Sequence, residues 1–271
     1  MDSDRPVSAN LTKAIARVLQ QRAVAALATL VEAPRGVGAK VLIEETGARR
    51  GAGTGDRRLD EAIAAHAPAF LALRTEARTF KVEEFAPELE RWRSARVLFE
   101  RIEPEPRVVV CGAGHVGAAL ACLASVVGYR VTLIDDRADF VTPAHFHETG
   151  ITLIAAKTWG EAVREAVGQG RGCSVAIVTR GHKEDEECLR VVLEARPDYV
   201  GMIGSRRRTN IVLGRLRELG IDEAILREVR APIGLDIGAV APEEVALAIL
   251  AEIVAVRRGG AGAPLSTWRR S

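Results

Sequence analysis

The sequence lacks the features of secreted, membrane-spanning and nucleic-acid-binding proteins. Its four cysteines are scattered without a Cys-x-x-Cys pair, which argues against a disulfide framework and indicates reduced, mostly buried thiols. No apolar run approaches the length of a membrane span, and the acidic first residues do not resemble a signal peptide. The net charge of only +2 gives no global field for DNA or RNA. We therefore expect a cytoplasmic protein with neither nucleic-acid nor membrane partners.

The composition predicts a folded α/β protein. Of its 271 residues, 48% are apolar, enough to bury the core of one large domain or two smaller ones. Residues 1–103 mix helix and strand patterns without regular alternation, so we predict a smaller N-terminal α+β domain. In residues 104–257, apolar strands alternate with amphipathic helices, which predicts a Rossmann-like, doubly wound parallel sheet of five strands. The glycine-rich, basic residues 258–271 are predicted to be a disordered tail.

The segment RVVVCGAGHVGAAL at the start of the second domain has the form of a nucleotide-binding turn. Gly112, Gly114 and Gly117 follow an apolar strand and open a helix, whose free N–H groups and partial positive charge favour a phosphate. Asp135 and Asp136 end the next strand, about twenty residues further on, where a ribose-binding carboxylate is expected. The alternative is a glycine-rich packing turn that binds no ligand.

Loops that leave the carboxyl ends of parallel strands meet at one edge of the sheet, so other loops join this candidate site. The loop after the fourth strand, VTRGHKED, carries Thr179, Arg180, His182 and Asp185, of which Thr179, His182 and Asp185 are assigned to the candidate site. His115 projects from the glycine turn toward the same edge and is a candidate contact rather than a catalyst. These side chains are therefore predicted to surround one ligand.

Three arginines, Arg206, Arg207 and Arg208, follow a predicted helix N-cap at Ser205. Cations in a first helical turn oppose the helix dipole, so we expect a bound anion to compensate them. The alternative is a solvated basic face. The loop GLDIG before the last helix adds Asp236 to the candidate site, although a plain turn explains its glycines almost equally well.

The sequence offers no clear metal site or nucleophile. His145 and His147, followed by Glu148, lack a further ligand, and a surface loop explains them better than a metal site does. Neither Gly-x-Ser-x-Gly nor Ser-x-x-Lys occurs. We predict no metal ligand and no catalytic residue, which favours a binding protein over an enzyme without deciding the question.

Together these segments resemble the xanthine dehydrogenase accessory family of the XdhC/CoxF type. The resemblance rests on four stretches in order, from VVVCGAGHVGAALACLASVVGYRVTLIDDR through VTRGHKED and YVGMIGSRRR to APIGLDIGAVAPEEVALAILAEIVA. The family's fourth-strand loop reads Thr-His-x-His-x-x-Asp, whereas this chain has Arg180 and Gly181 at the second and third places. The N-terminal segments EAPRGVGAK and GTGDRRLDEA match the family's pattern less well, and Thr54 interrupts the second one.

The resemblance implies a carrier of molybdenum cofactor. Such a protein holds the cofactor, as a pterin phosphate or in some bacteria as a dinucleotide, while a cysteine desulfurase exchanges an oxo ligand for sulfur. It then delivers the cofactor to a xanthine dehydrogenase-type apoenzyme. A homodimer is the expected assembly. By this resemblance His115, His182 and Asp185 contact either the pterin edge or the metal's oxo and sulfido ligands.

Two other functions fit the same nucleotide-binding turn. One is an NAD(P)-dependent oxidoreductase, but only His182 is an obvious acid or base, and the chain after the fifth strand is short for a substrate domain. The other is a regulatory module whose affinity for a partner changes when AMP or NAD binds. Titration with NADH and nucleotide-dependent partner binding separate these alternatives from the carrier.

Overall fold

A computed structural model describes residues 5–146 and 150–266 of the chain. It divides into two compact units, residues 1–104 and residues 105–271. No helix in these described ranges has both the length and the hydropathy of a membrane span.

The first unit is an antiparallel sheet with two long helices, α1 (Arg5–Gln20) and α2 (Arg57–Ala72). Neighbouring strands lie in the order β3-β2-β1-β5-β4 and run antiparallel. The strands are β1 (Ala25–Glu32), β2 (Lys40–Glu44), β3 (Arg49–Gly51), β4 (Ala77–Lys81) and β5 (Arg96–Ile102).

The alanine-rich segment of β1 is a strand although its composition also suits a helix. Its first six residues are all buried, because each face of the sheet is covered. Ala26 and Ala28 pack into the core shared with α2, whereas Ala25 and Leu27 pack with α1 residues such as Val18. Burial on both faces removes the alternating pattern by which a strand is usually recognised.

The second unit contains a five-stranded parallel sheet in the order β10-β9-β6-β7-β8. Numbered from the first strand of the unit, this order is 3-2-1-4-5 read from the opposite edge, as in Rossmann folds. The strands are β6 (Arg107–Cys111), β7 (Arg130–Asp135), β8 (Thr152–Ala155), β9 (Cys173–Ile177) and β10 (Tyr199–Met202).

Helices cover both faces of this sheet. Val108 and Val110 of β6 pack with α3 and α8 on one face, and Val109 and Cys111 pack with α4, α5 and α6 on the other. The helices are α3 (His115–Val126), α4 (Trp159–Val167), α5 (His182–Ala195), α6 (Arg206–Glu218), a single turn α7 (Glu223–Leu226) and α8 (Pro242–Arg258).

The predicted fold class is confirmed in both parts of the chain: a doubly wound parallel sheet follows a smaller unit of mixed helix and strand. Cys111, Cys173 and Cys188 are buried thiols, and Cys122 is half-buried, as expected. Helix α8 ends at Arg258, where the predicted tail begins. Residues 267–271 of that tail lie outside the described residues.

Candidate functional site

The candidate site lies at the point in the parallel sheet where the strand order reverses its direction. β6 is paired with β7 on one side and with β9 on the other. The helix that follows β6, α3, packs on one face of the sheet, whereas α5, which follows β9, packs on the opposite face. A crevice therefore opens at the carboxyl ends of β6 and β9, the position at which open α/β sheets bind ligands.

The glycines of the turn after β6 have separate structural roles. Gly112 has a φ of +113°, and a Cβ there would lie 2.6 Å from the Val178 carbonyl oxygen. A Cβ at Gly117 would overlap the Gly112 carbonyl oxygen, so glycine is needed for the helix to approach the strand. Nothing lies within 4 Å of a Cβ built at Gly114. The turn therefore has no room for a side chain at Gly112 or Gly117, but it has room for one at Gly114.

The crevice has a volume of about 410 Å³ and is lined by residues from six separate segments of the second unit. It is open at one side and contains both glycine backbone and charged side chains. The lining residues are Gly112, Gly114, His115, Val116, Asp135, Arg137, Trp159, Val178, Thr179, Arg180, Ile203, Gly204, Arg208 and Pro242.

Asp135 is almost completely buried and fully engaged within the protein. Its Oδ2 accepts a hydrogen bond of 2.7 Å from the Ala113 backbone N–H, and Arg137 donates to both carboxylate oxygens at 2.9 Å. Burial alone would raise the pKa of Asp135, but these hydrogen bonds outweigh it and lower the pKa. The Arg137 guanidinium also lies 3.6 Å from the centre of the Phe140 ring. A ribose hydroxyl at Asp135 would therefore have to displace Arg137.

Asp136 is paired with an arginine from the far side of the glycine turn. Arg180 Nη1 and Nη2 donate to its Oδ1 and Oδ2 at 2.8 and 2.6 Å. This hydrogen-bonded pair raises the pKa of Arg180. Both side chains are partly exposed, so the interaction is a surface ion pair rather than a buried one.

Thr179 and Arg208 form one hydrogen-bonded cluster around the buried carboxylate of Asp185. The Thr179 hydroxyl donates to Asp185 Oδ1 at 2.6 Å, and Arg208 Nε donates to Asp185 Oδ2 at the same distance. Arg208 Nη2 also donates to the Thr179 carbonyl oxygen at 3.1 Å. Asp185 has no exposed surface, and burial raises its pKa despite these donors. The cluster joins the starts of α5 and α6 to the loop after β9.

Among the described residues, α3 and α5 both begin at this edge without a side-chain cap. Gly114 precedes α3 and Gly181 precedes α5, and neither helix receives a side-chain hydrogen bond at its N-cap. His115 and His182 are the first residues of the two helices. Both are exposed, but only His115 is among the residues that line the crevice. The first turn of α3 is thus positioned to donate to a ligand.

The three consecutive arginines, Arg206 to Arg208, lie in different surroundings. Ser205 caps α6 by accepting from the Arg208 N–H, as predicted. Arg208 reaches the crevice, whereas Arg206 and Arg207 are exposed and are not among its lining residues. A buried carboxylate, Asp185, compensates Arg208, so the expectation that a bound anion must do so is wrong for this residue. The predicted contact Asp236 is exposed and also lies outside the lining set.

Sequence reasoning missed Arg137, and it placed Arg180 on this edge of the sheet without assigning it to the site. Arg137 and Arg180 both line the crevice, and both interact with the aspartates that were predicted to contact a ligand. Arg180 was visible in the sequence as the residue that replaces a histidine of the family pattern. Trp159, the first residue of α4, also lines the crevice and is 5% exposed. Nothing in the local pattern around Trp159 indicated this position.

No group of three or more histidine, cysteine or carboxylate side chains in the described ranges is arranged to hold a metal ion. His145 lies in a short turn, and its Nδ1 is 3.4 Å from the Thr142 hydroxyl. His147 and Glu148, which follow it in the sequence, lie outside the described residues.

The strand order and the glycine turn define a Rossmann domain. Residues 108–253 match the family described as the XdhC Rossmann domain, and the chain belongs to that family. The family resemblance drawn from the sequence motifs is thereby confirmed.

Comparison with individual proteins agrees with this assignment. The chain is 27% identical over 165 residues to a Bacillus subtilis protein described as a probable xanthine dehydrogenase subunit, covering 61% of this chain and 47% of that protein. It is 38% identical over 84 residues to the Escherichia coli molybdenum cofactor insertion chaperone PaoD, covering 30% of this chain and 26% of that protein. The chain spans less than half the length of the curated relatives it matches.

A solved structure has a similar fold over nearly the whole chain. It is described as a xanthine dehydrogenase from Bacillus halodurans and superposes with a TM-score of 0.51 at 16% identity. The match covers 94% of this chain and 98% of that one. At this identity the likeness concerns the fold alone.

Proposed function

We propose that the protein binds molybdenum cofactor in the carboxyl-edge crevice and delivers it to a xanthine dehydrogenase-type molybdenum hydroxylase. The observation that carries this proposal is the uncapped start of α3 beside the open position at Gly114, within a crevice that also contains arginines. The similarity to a relative described as a molybdenum cofactor insertion chaperone supports the choice of ligand.

The terminal phosphate of the cofactor is the group that the crevice suits best. Backbone N–H groups at a helix start and an arginine guanidinium are both strong phosphate donors. Gly114 leaves room for the phosphate to approach the backbone, and Arg180 lies at the same crevice. His115 is a lining side chain able to hydrogen-bond the pterin edge, and Trp159 adds an apolar wall.

The finer steps belong to the same proposal. The crevice holds the cofactor while a cysteine desulfurase exchanges an oxo ligand for sulfur, and the apoenzyme then receives it. The protein acts in the cytoplasm as a homodimer, and the crevice accepts the pterin phosphate or its dinucleotide form. This chain itself makes and breaks no covalent bond in the scheme.

Cofactor binding and apoenzyme reactivation test the proposal together. The purified protein is incubated with molybdenum cofactor released from a donor enzyme, and the retained pterin is measured by fluorescence after oxidation. Gly114→Val is expected to lose binding because its side chain occupies the open position. Leu219→Ala, at an exposed position in the C-cap of α6, is the matched control and should bind normally.

Wild type and Leu219→Ala, loaded with cofactor, should reactivate apo-xanthine dehydrogenase, whereas Gly114→Val should not. Failure of the wild-type protein both to retain the cofactor and to reactivate the apoenzyme would refute the carrier function. A parallel titration with NADH tests the oxidoreductase alternative. Binding is expected to be weak, since Arg137 occupies the carboxylate that a ribose would need.

A further inference from the structure

An ion pair joins the two loops that flank the glycine turn. Arg180 follows β9 and Asp136 follows β7, and the strand between them is β6, which leads into the turn. Because adjacent strands are about 5 Å apart, the pair bridges loops that start about 10 Å from each other. Arg180 is at the same time a lining residue of the crevice. A ligand that enters above the turn therefore meets this guanidinium.

The pair is exposed and its geometry is one that phosphate can copy. The side chains of Arg180 and Asp136 are 48% and 30% exposed. Exposed ion pairs contribute little to stability, so exchanging the partner is not costly. The guanidinium fork that holds both carboxylate oxygens also fits two oxygens of a phosphate.

The other two arginines that line the crevice, Arg137 and Arg208, cannot exchange their carboxylate partners as easily. Arg137 binds Asp135, whose side chain is 2% exposed, and Arg208 binds Asp185, which is fully buried. Taking either arginine away would leave a carboxylate buried without its cation, which is strongly unfavourable. Taking Arg180 away leaves Asp136 and Glu184, whose side chains are 30% and 25% exposed, so water can hydrate both carboxylates.

We propose that Arg180 is the exchangeable phosphate-binding arginine of the crevice and that Asp136 is its internal competitor. In the empty crevice Asp136 holds the guanidinium across the turn. A phosphate group replaces Asp136 on the guanidinium when the ligand enters. The identity of the natural ligand rests on the proposed function, whereas the exchange itself concerns any phosphate-bearing molecule.

A double-mutant cycle on the full chain tests this exchange, with inorganic pyrophosphate as the probe in isothermal titration calorimetry. Asp136→Asn is expected to bind about threefold more tightly than wild type, because the competitor loses its charge. Arg180→Ala is expected to bind about tenfold more weakly. In the Arg180→Ala background, Asp136→Asn should change the affinity by less than about 1.5-fold, because the guanidinium for which it competes is gone.

The cycle separates competition from a general charge effect. If Asp136→Asn tightens binding equally with and without Arg180, or if neither the wild type nor Asp136→Asn binds pyrophosphate, the proposal is overturned. Asp139→Asn, an exposed acid three residues along the chain, is the matched control and should leave the affinity unchanged. Arg180→Lys should recover only part of the affinity, because it restores the charge without the planar fork.

Repeating the cycle with molybdenum cofactor distinguishes this proposal from the proposed function. A cofactor that binds wild type but gives no coupling between Asp136 and Arg180 overturns the exchange and leaves the carrier function intact. Coupling seen with pyrophosphate in a protein that binds no cofactor supports the exchange and refutes the carrier function. Circular dichroism of each variant confirms that the surface substitutions leave the fold intact.

Discussion

Gly114 and Gly117 lie three residues apart in one turn but have different surroundings. A methyl group at Gly117 would overlap the Gly112 carbonyl oxygen, which belongs to the backbone and cannot turn aside. At Gly114 the same methyl group would meet open space. One position therefore sets the packing of α3 on β6, and the other sets access to the crevice.

Gly117→Ala should accordingly lower the free energy of unfolding by about 3 kcal/mol, because α3 must move away from the strand. Gly114→Ala is the matched substitution and should change that free energy by less than about 1 kcal/mol. Chemical denaturation followed by circular dichroism measures both. Equal stability of the two variants would contradict the assigned roles.

His66 is a titratable group in an aromatic core. Its ring stacks on Phe85 at 4.7 Å and meets the edges of Phe80 and Phe99, and its Nε2 is buried without a hydrogen-bond partner. Burial lowers the pKa of His66 below its usual value of 6.5, with Glu84 opposing and Arg78 reinforcing the shift. The folded protein thus favours the neutral ring.

The sign of the pH effect follows from this shift. Below pH 6.5 the unfolded chain takes up a proton at His66 that the folded state resists, so stability should decrease as the pH falls from 6.5 toward the lower pKa of the folded state. His66→Phe should show a smaller decrease over the same range. Urea denaturation at several pH values measures it, and an identical slope in wild type and variant would contradict the prediction.

At the scale of elements, Arg208 connects the starts of α5 and α6 with the loop after β9. Its contacts are Asp185 on α5 and the Thr179 carbonyl oxygen of that loop. Asp185 is fully buried, so its negative charge depends on the Arg208 cation and the Thr179 hydroxyl. The connection orders the side of the crevice opposite Asp135.

Arg208→Ala should lower the free energy of unfolding by about 3 kcal/mol, because it leaves a buried carboxylate without its cation. Combining it with Asp185→Asn should restore part of the loss, since the charge is removed while Thr179 can still donate. Arg207→Ala, one residue away and exposed, is the control and should have little effect. If the double variant were no more stable than Arg208→Ala, the charge argument would fail.

The elements that sequence predicts well are those set by local pattern. Helix α6 begins at Arg206, directly after the predicted N-cap Ser205, and α3 begins at His115, within the glycine turn that was predicted to open a helix. The glycine turn was likewise predicted from a short stretch of sequence. The charge pairs were not, because Arg180 and Asp136 are separated by 44 residues and Arg208 and Asp185 by 23. Only the sheet order brings such partners together, so sequence alone misjudged what compensates Arg208.

At the scale of the whole molecule, each unit has hydrophobic cores of its own. The two core clusters on either face of the parallel sheet consist entirely of residues after 105, and so do the lining residues of the crevice. A unit with a complete core meets the usual criterion for independent folding.

A fragment of residues 105–271 should therefore fold alone and bind pyrophosphate with an affinity within about twofold of the full chain. Circular dichroism establishes whether the fragment is folded, and calorimetry measures the affinity. A folded fragment that binds pyrophosphate much more weakly would mean that residues 1–104 contribute to the site. An unfolded fragment would contradict the independence of the unit.

Each of the three arginines that line the crevice pairs with at least one carboxylate of the second unit: Arg137 with Asp135, Arg180 with Asp136 and Glu184, and Arg208 with Asp185. When no ligand is bound, the positive charge of each of these arginines is therefore balanced by a carboxylate. When an anionic guest departs, Asp136 can take its place on Arg180 immediately, so the two states differ little in electrostatic energy. Such a site suits a protein that binds its ligand briefly and transfers it to a recipient better than one that stores the ligand.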